Sequence, residues 1–201
     1  MLQIDQNGAV INDRISRNLI PNIEHGAMPV VHGIIVHQTG GSTAASALAS
    51  YRNDSRGLGA HFLIDRDGSI SQTASVRKQC HHVGPLKARC LAENRCSPEE
   101  RRLLAGPMRP TAESRRERAK QVPDRYPGNE DAIGIELVGE SHPSPIPHQD
   151  PIYVSVTAAQ NSSLAWLIRE LQATLNMAAT EVFRHPTVSR KAATEASTAR
   201  W

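Results

Sequence analysis

An α/β fold, a single domain with a central mixed β-sheet flanked by helices, is predicted from three observations along the 201-residue chain. Short apolar runs end in polar turns, one long segment repeats apolar residues at helical spacing, and two strand-like runs flank an Asp-Gly turn. A hydrophobic content of 39% supports one real core, and the length suits one domain better than two.

The strand runs are Gly33 to His37, His61 to Asp65, Ile133 to Val138 and Glu181 to His185. Ser69 to Thr73 pairs back on the second run across Asp67-Gly68. Ser42 is a plausible cap for a helix over Thr43 to Arg52. Thr157 and Gln160 form a capping box for a second helix reaching about Asn176, where Leu164, Leu167, Ile168, Leu171 and Leu175 make one apolar face. Residues 1–25 read as an N-terminal arm, 26–201 as the main domain, and 85–131 as a basic, loop-rich insertion with room for one exposed helix. Ser141 to Pro151, with four prolines, reads as an extended surface loop.

The net charge of +3 is mild and the excess is local, with eight Arg or Lys against three acids between Arg101 and Arg125. Such a patch attracts polyanions or is simply solvated; the lack of aromatics within it argues against base stacking. Met1 to Val10 shows no export signal and nowhere do about 18 apolar residues run together. The expectation is a protein made in the cytoplasm, which either works there or acts elsewhere after delivery or lysis. Cys80, Cys90 and Cys96 lack a paired metal spacing; Cys90 and Cys96 either bridge a short loop or stay free.

The chemistry-bearing residues stand at strand ends. His37 and His185 each close an apolar run, where a side chain leaves the core and faces a cleft. On neighbouring strands the two imidazoles would converge, and Glu195 could add a carboxylate, leaving a fourth position open as a catalytic zinc requires.

Val36-His37-Gln38-Thr39-Gly40, the run from Ala60 to Gly68, His81-His82-Val83-Gly84, Ile133-Gly134-Ile135-Glu136-Leu137 and the segment from His185 to Glu195 follow one another in a fixed order. Together they resemble the N-acetylmuramoyl-L-alanine amidase type 2 family, which includes peptidoglycan recognition proteins. The likeness spans roughly Gly33 to Trp201 with long unmatched stretches, and the ordered set is far more specific than any one motif.

The resemblance implies an amidase-like fold that hydrolyses the amide between the lactyl group of N-acetylmuramic acid and the first L-alanine of the stem peptide. It implies Zn2+ held by His37, His185 and Glu195, with Glu136 moving protons and His82 lining the substrate groove. His61 is grouped with His82 on the substrate side, as a buried hydrogen-bonding histidine and not a ligand. Peptidoglycan or a muropeptide is the implied partner, with no nucleic acid and no membrane insertion, and an immunity protein only if the chain is a delivered effector. Three departures stand out. Relatives carry Asp or Cys where this chain has Glu195; Ala193 replaces a lysine, for which Lys191 is the substitute catalytic cation; and Ala60 replaces a tyrosine.

Two other classes compete. A non-catalytic peptidoglycan-binding module is disfavoured by a candidate in every ligand position, and a nucleic-acid binder has charge but no motif. A Cys80–His81 hydrolase fails because neighbours on an extended chain point to opposite faces.

Overall fold

In the computed structural model, which describes residues 1–201, the chain begins with β1 (Gln3–Ile4) and β2 (Val10–Ile11), a small antiparallel ribbon. β3 (Ile15–Arg17) then runs parallel to β6 (Ile70–Gln72) at the edge of the main sheet. Leu2, Val10 and Ile15 from this stretch are buried in the principal core.

β4 (Gly33–Gly40) leads into α1 (Ala44–Asn53), which is capped by Thr43, one residue later than the sequence suggests. β5 (Phe62–Ile64) and β6 form the antiparallel hairpin expected across Asp67-Gly68. Gly68 lies at φ +90°, where a side chain is disfavoured, and a Cβ there would come within 3.0 Å of the Ala159 carbonyl oxygen and Ser163 Oγ.

The insertion holds three short helices, α2 (Arg89–Ala92), α3 (Pro98–Leu104) and α4 (Pro110–Arg118), where the sequence suggested loops and one helix at most. None is long enough to display an apolar stripe. The local signals are Ser97 capping α3, proline in the first turn of α3 and α4, and Glu99 and Glu100 at the positive end of α3. Cys90 and Cys96 are disulfide-bonded, and Cys80 is a buried free thiol. Asn129 stitches the two ends of the insertion together: its Oδ1 accepts from the His82 and Val83 amides, and its Nδ2 donates to the Val83 carbonyl.

β7 (Ala132–His142) carries β8 (Ile152–Tyr153) antiparallel at its far end, so the surface loop between them is bounded by a short ribbon. α5 (Ala158–Leu175) shows the predicted capping box and ends at Asn176. β9 (Val182–Arg184) runs straight into α6 (His185–Val188). His185 therefore opens a helical turn just beyond the strand that sequence alone extends through it.

The strand order is β3-β6-β5-β7-β4-β9, with β5, β7, β4 and β9 mutually parallel. Alternation along the two central strands sets the layers. Ile34, Val36, Ile133, Ile135 and Leu137 face α5, whose Leu164, Leu167, Ile168 and Leu171 close the main core. The opposite face presents Ile35 and Ala132, which pack with Leu86 and Tyr126 from the insertion and Val188 from α6. Arg89 ties that side to the sheet through a buried two-pronged contact with Glu181, at 2.7 and 2.9 Å. No helix is long and apolar enough to cross a membrane.

Candidate active site

The site grows from the register of three parallel strands. His37 on β4 stands opposite Glu136 on β7, and Val36 stands opposite Arg184 on β9, so His185 emerges beside His37. All three reach the same end and the same face of the sheet, the one turned away from α5. Glu195 arrives from the C-terminal segment and completes the cluster.

His37 Nδ1 and His185 Nδ1 are 2.9 Å apart, His185 Nδ1 and Glu195 Oε1 are 3.0 Å apart, and His37 Nδ1 and Glu195 Oε1 are 3.6 Å apart. His37, His185 and Glu195 are only 2–3% exposed. Burial, together with the His185 ring beside it, pushes the His37 pKa down to about 4, so the ring is neutral at pH 7. Burial opposes the charge of Glu195, but its contact with His185 and the neighbouring His37 ring hold its carboxyl well below the usual range.

Hydrogen-bond bookkeeping fixes the direction of the His37 lone pair. His82 Nε2 lies 3.2 Å from the Ala132 carbonyl, which only accepts, so His82 carries its hydrogen there and leaves Nδ1 bare. His82 Nδ1 lies 2.9 Å from His37 Nε2, which must then donate. His37 Nδ1 is left as a lone pair aimed at His185 and Glu195. His185 Nε2 is buried without a partner.

A divalent cation suits this donor set. Tetrahedral zinc with ligand bonds of about 2.0–2.2 Å separates its donors by about 3.3–3.6 Å. The three separations of 2.9, 3.0 and 3.6 Å bracket that edge, and two imidazoles with one carboxylate leave a fourth position for water or substrate. The residues present therefore fit a zinc ion.

Glu136 is partly buried, and its Oε2 is sealed from solvent with no hydrogen-bond partner. Burial and then the nearby Glu195 carboxylate push its pKa up to about 8, against the opposing charge of Lys191. The sequence attributes this desolvation to Ile133, Ile135 and Leu137, but those side chains face α5 on the other side of β7. Tyr51 from α1, whose hydroxyl also lacks a partner, lines the same small cleft as Glu136.

The other candidates fall at different depths. His82 lies against β7, where a side chain at Gly134 would come within 2.9 Å of its ring; the absence of a Cβ there admits it. Its contact with His37 makes it a support of the cluster as well as a wall of the cleft. His61 is fully buried, with Nε2 donating to the Lys78 carbonyl and Nδ1 accepting from the Gly134 amide, so no ring atom remains for a substrate. Lys191 is exposed and lines the cleft that holds His37, Glu136, His185 and Glu195. Ala193 places no cation there, its amide donating to Asp150 Oδ2.

Tyr153 on β8, which sequence analysis did not single out, lines the same cleft. Burial, then the Glu195 and Glu136 charges, push its hydroxyl up to about 12, so it stays a donor at neutral pH. Its position depends on β8 folding back on β7, which only a proline-rich stretch with two apolar residues announces. Cys80 is buried among apolar neighbours with its thiol pKa raised, while His81 stacks on His25, with ring centroids 3.6 Å apart. A Cys–His pair is absent.

A family model for N-acetylmuramoyl-L-alanine amidase matches residues 26–198. Among curated protein sequences none matches significantly. Solved structures share the fold: a selenomethionine derivative of AmpD aligns with TM-score 0.60 at 18% identity over 96% of this chain and 93% of that one. PlyL aligns with TM-score 0.52 at 14% identity over 88% and 84% of the two chains. The amidase LysC from Clostridium intestinale URNW aligns with TM-score 0.50 at 17% identity over 90% and 87%. With its matched span enclosing the whole His37–His185–Glu195 cluster, the chain belongs to the N-acetylmuramoyl-L-alanine amidase family.

Proposed function

We propose that this protein is a zinc-dependent amidase that cleaves the bond between the lactyl group of N-acetylmuramic acid and the first L-alanine of peptidoglycan. The observation that carries it is the convergence of His37 Nδ1, His185 Nδ1 and Glu195 Oε1 on one point, with Glu136 on the neighbouring strand. Zinc bound there supplies Lewis-acid polarisation of the scissile carbonyl and acidifies the attacking water.

The protein's own residues do the rest. Glu136, whose pKa lies near neutrality, takes a proton from the water oxygen as it adds to the carbonyl carbon. The same carboxyl then hands that proton to the alanine nitrogen as the C–N bond breaks. The Tyr153 hydroxyl and the Lys191 ammonium face the cleft and stabilise negative charge developing on the carbonyl oxygen. The Cys90–Cys96 disulfide supports action in an oxidising compartment, which fits intact cell wall better than cytoplasmic recycling.

The test joins metal content to product identity. Purified protein should carry about one zinc per chain, and digested sacculi should release stem peptides with free L-alanine amino termini, read by mass spectrometry. His37→Ala and His185→Ala should lose both zinc and hydrolysis while remaining folded. Sacculus binding without release of new termini would make the protein a binding module, and full hydrolysis by a zinc-free variant would overturn the metal assignment.

A further inference from the structure

The geometry points to a metal-independent clamp, made by Gln38 and Arg184 on the Ala196 peptide, that holds Glu195 in ligand position before any cation arrives. The inference rests on the zinc reading of the same cluster and concerns how its third donor is placed.

Ala196 is fully buried and adopts φ +51°, a left-handed conformation that L-residues with a Cβ disfavour. Such a residue persists only where its surroundings impose it. Both polar groups of Ala196 are held by side chains. Its amide donates to Gln38 Oε1 at 3.2 Å, and its carbonyl accepts from Arg184 Nε at 3.0 Å. Each holder is itself fixed. Gln38 Nε2 donates to the Val154 carbonyl at 2.8 Å, and Arg184 also donates to the Ala199 carbonyl while its guanidinium lies 4.8 Å from the Trp201 ring. Gly139 makes room for the Gln38 amide, since a Cβ there would fall 2.1 Å from Nε2.

The sequence positions of the holders give the clamp its purpose. Gln38 directly follows His37, and Arg184 directly precedes His185. Alternation sends His37 to the cleft and Gln38 to the α5 side, where Ala196 and Ala199 join the main core. The terminal segment therefore crosses the strand ends between Glu195 and Ala196, with the carboxylate on one side and the clamped peptide on the other. All three donors are locked to one rigid frame, and Glu195, the donor on a loop, is the one that needs it.

The test measures zinc affinity by chelator competition and hydrogen exchange of the Ala196 amide in metal-free protein, for wild type, Arg184→Lys and Ala196→Gly. Lysine keeps the charge but lacks the planar fork that donates to the Ala196 and Ala199 carbonyls from two separate nitrogens; glycine relieves the left-handed strain and frees the turn. Slow exchange at Ala196 in metal-free wild type is expected, with zinc affinity lowered about 10-fold or more in both variants. Ala196→Gly should do so without any fall in the melting temperature of the metal-free protein, an outcome a merely structural role would not produce. Free exchange of the Ala196 amide, or wild-type zinc affinity in both folded variants, overturns the clamp. A slow Ala196 amide in a wild-type protein that binds no zinc overturns the zinc reading instead, and with it the clamp's role toward a metal.

Discussion

His82 Nδ1 sits 2.9 Å from His37 Nε2, and this one contact decides which nitrogen of His37 is free for a metal. Replacing His82 with Ala removes the acceptor that holds the Nε2 hydrogen. Zinc affinity should fall about 10- to 100-fold, the usual effect of losing such a support. His82→Gln, which keeps an acceptor oxygen, should recover part of it. Chelator competition measures both, and an unchanged affinity in His82→Ala would show that the tautomer is set elsewhere.

Glu136→Gln keeps the shape of the side chain and removes its proton traffic. Turnover on sacculi should drop about 10² to 10⁴-fold while zinc content stays at the wild-type level. Zinc lost together with activity would identify Glu136 as a ligand or a structural residue.

Glu195 bears on the departure from the family pattern. Glu195→Ala should lower zinc content and hydrolysis together, and Glu195→Asp should retain part of both, because it keeps a carboxylate that stops one methylene short of the place where Glu195 meets His185 at 3.0 Å. Retention of full zinc occupancy in the alanine variant after dialysis against a weak chelator would require a different third donor.

His61 predicts a pH dependence of stability. Burial lowers its folded-state pKa from 6.5 to about 4, so the folded protein resists a proton that the unfolded chain accepts. The neutral ring's contribution is complete above about pH 6.5 and is lost as pH falls through about 4, by on the order of 3 kcal/mol. Urea unfolding of metal-free protein between pH 7 and pH 4 should show this decline, and His61→Gln should flatten it. Equal slopes in the two proteins would refute the assignment.

How much of this was legible depends on the reach of each interaction. The α5 capping box and its leucine face are local patterns, and both are present as the sequence implies. The apolar runs ending at His37 and near His185 also announce themselves, but the parallel pairing that brings their ends together does not, because no local pattern says which strands are neighbours. The helices of the insertion were missed because four to nine residues are too few to show a period, although Ser97-Pro98-Glu99-Glu100 is a helix start. Gln38, Arg184 and Tyr153 were missed for a different reason. Each acts on a segment far away in sequence, and no local pattern marks a side chain whose partner is a distant backbone carbonyl or a strand that folds back.

The Asn129 stitch makes the insertion a closed excursion whose ends meet at the His82–Val83 backbone. Once a loop's ends are joined, its length matters little, each doubling costing only about 0.6 kcal/mol. α3, which buries none of its residues, can therefore be lengthened or trimmed while α2, tied to the sheet through Arg89 and Glu181, stays in place over β4 and β7. Natural variation and protein engineering thus have one exposed helix, α3, whose length can change without rebuilding the sheet beneath it.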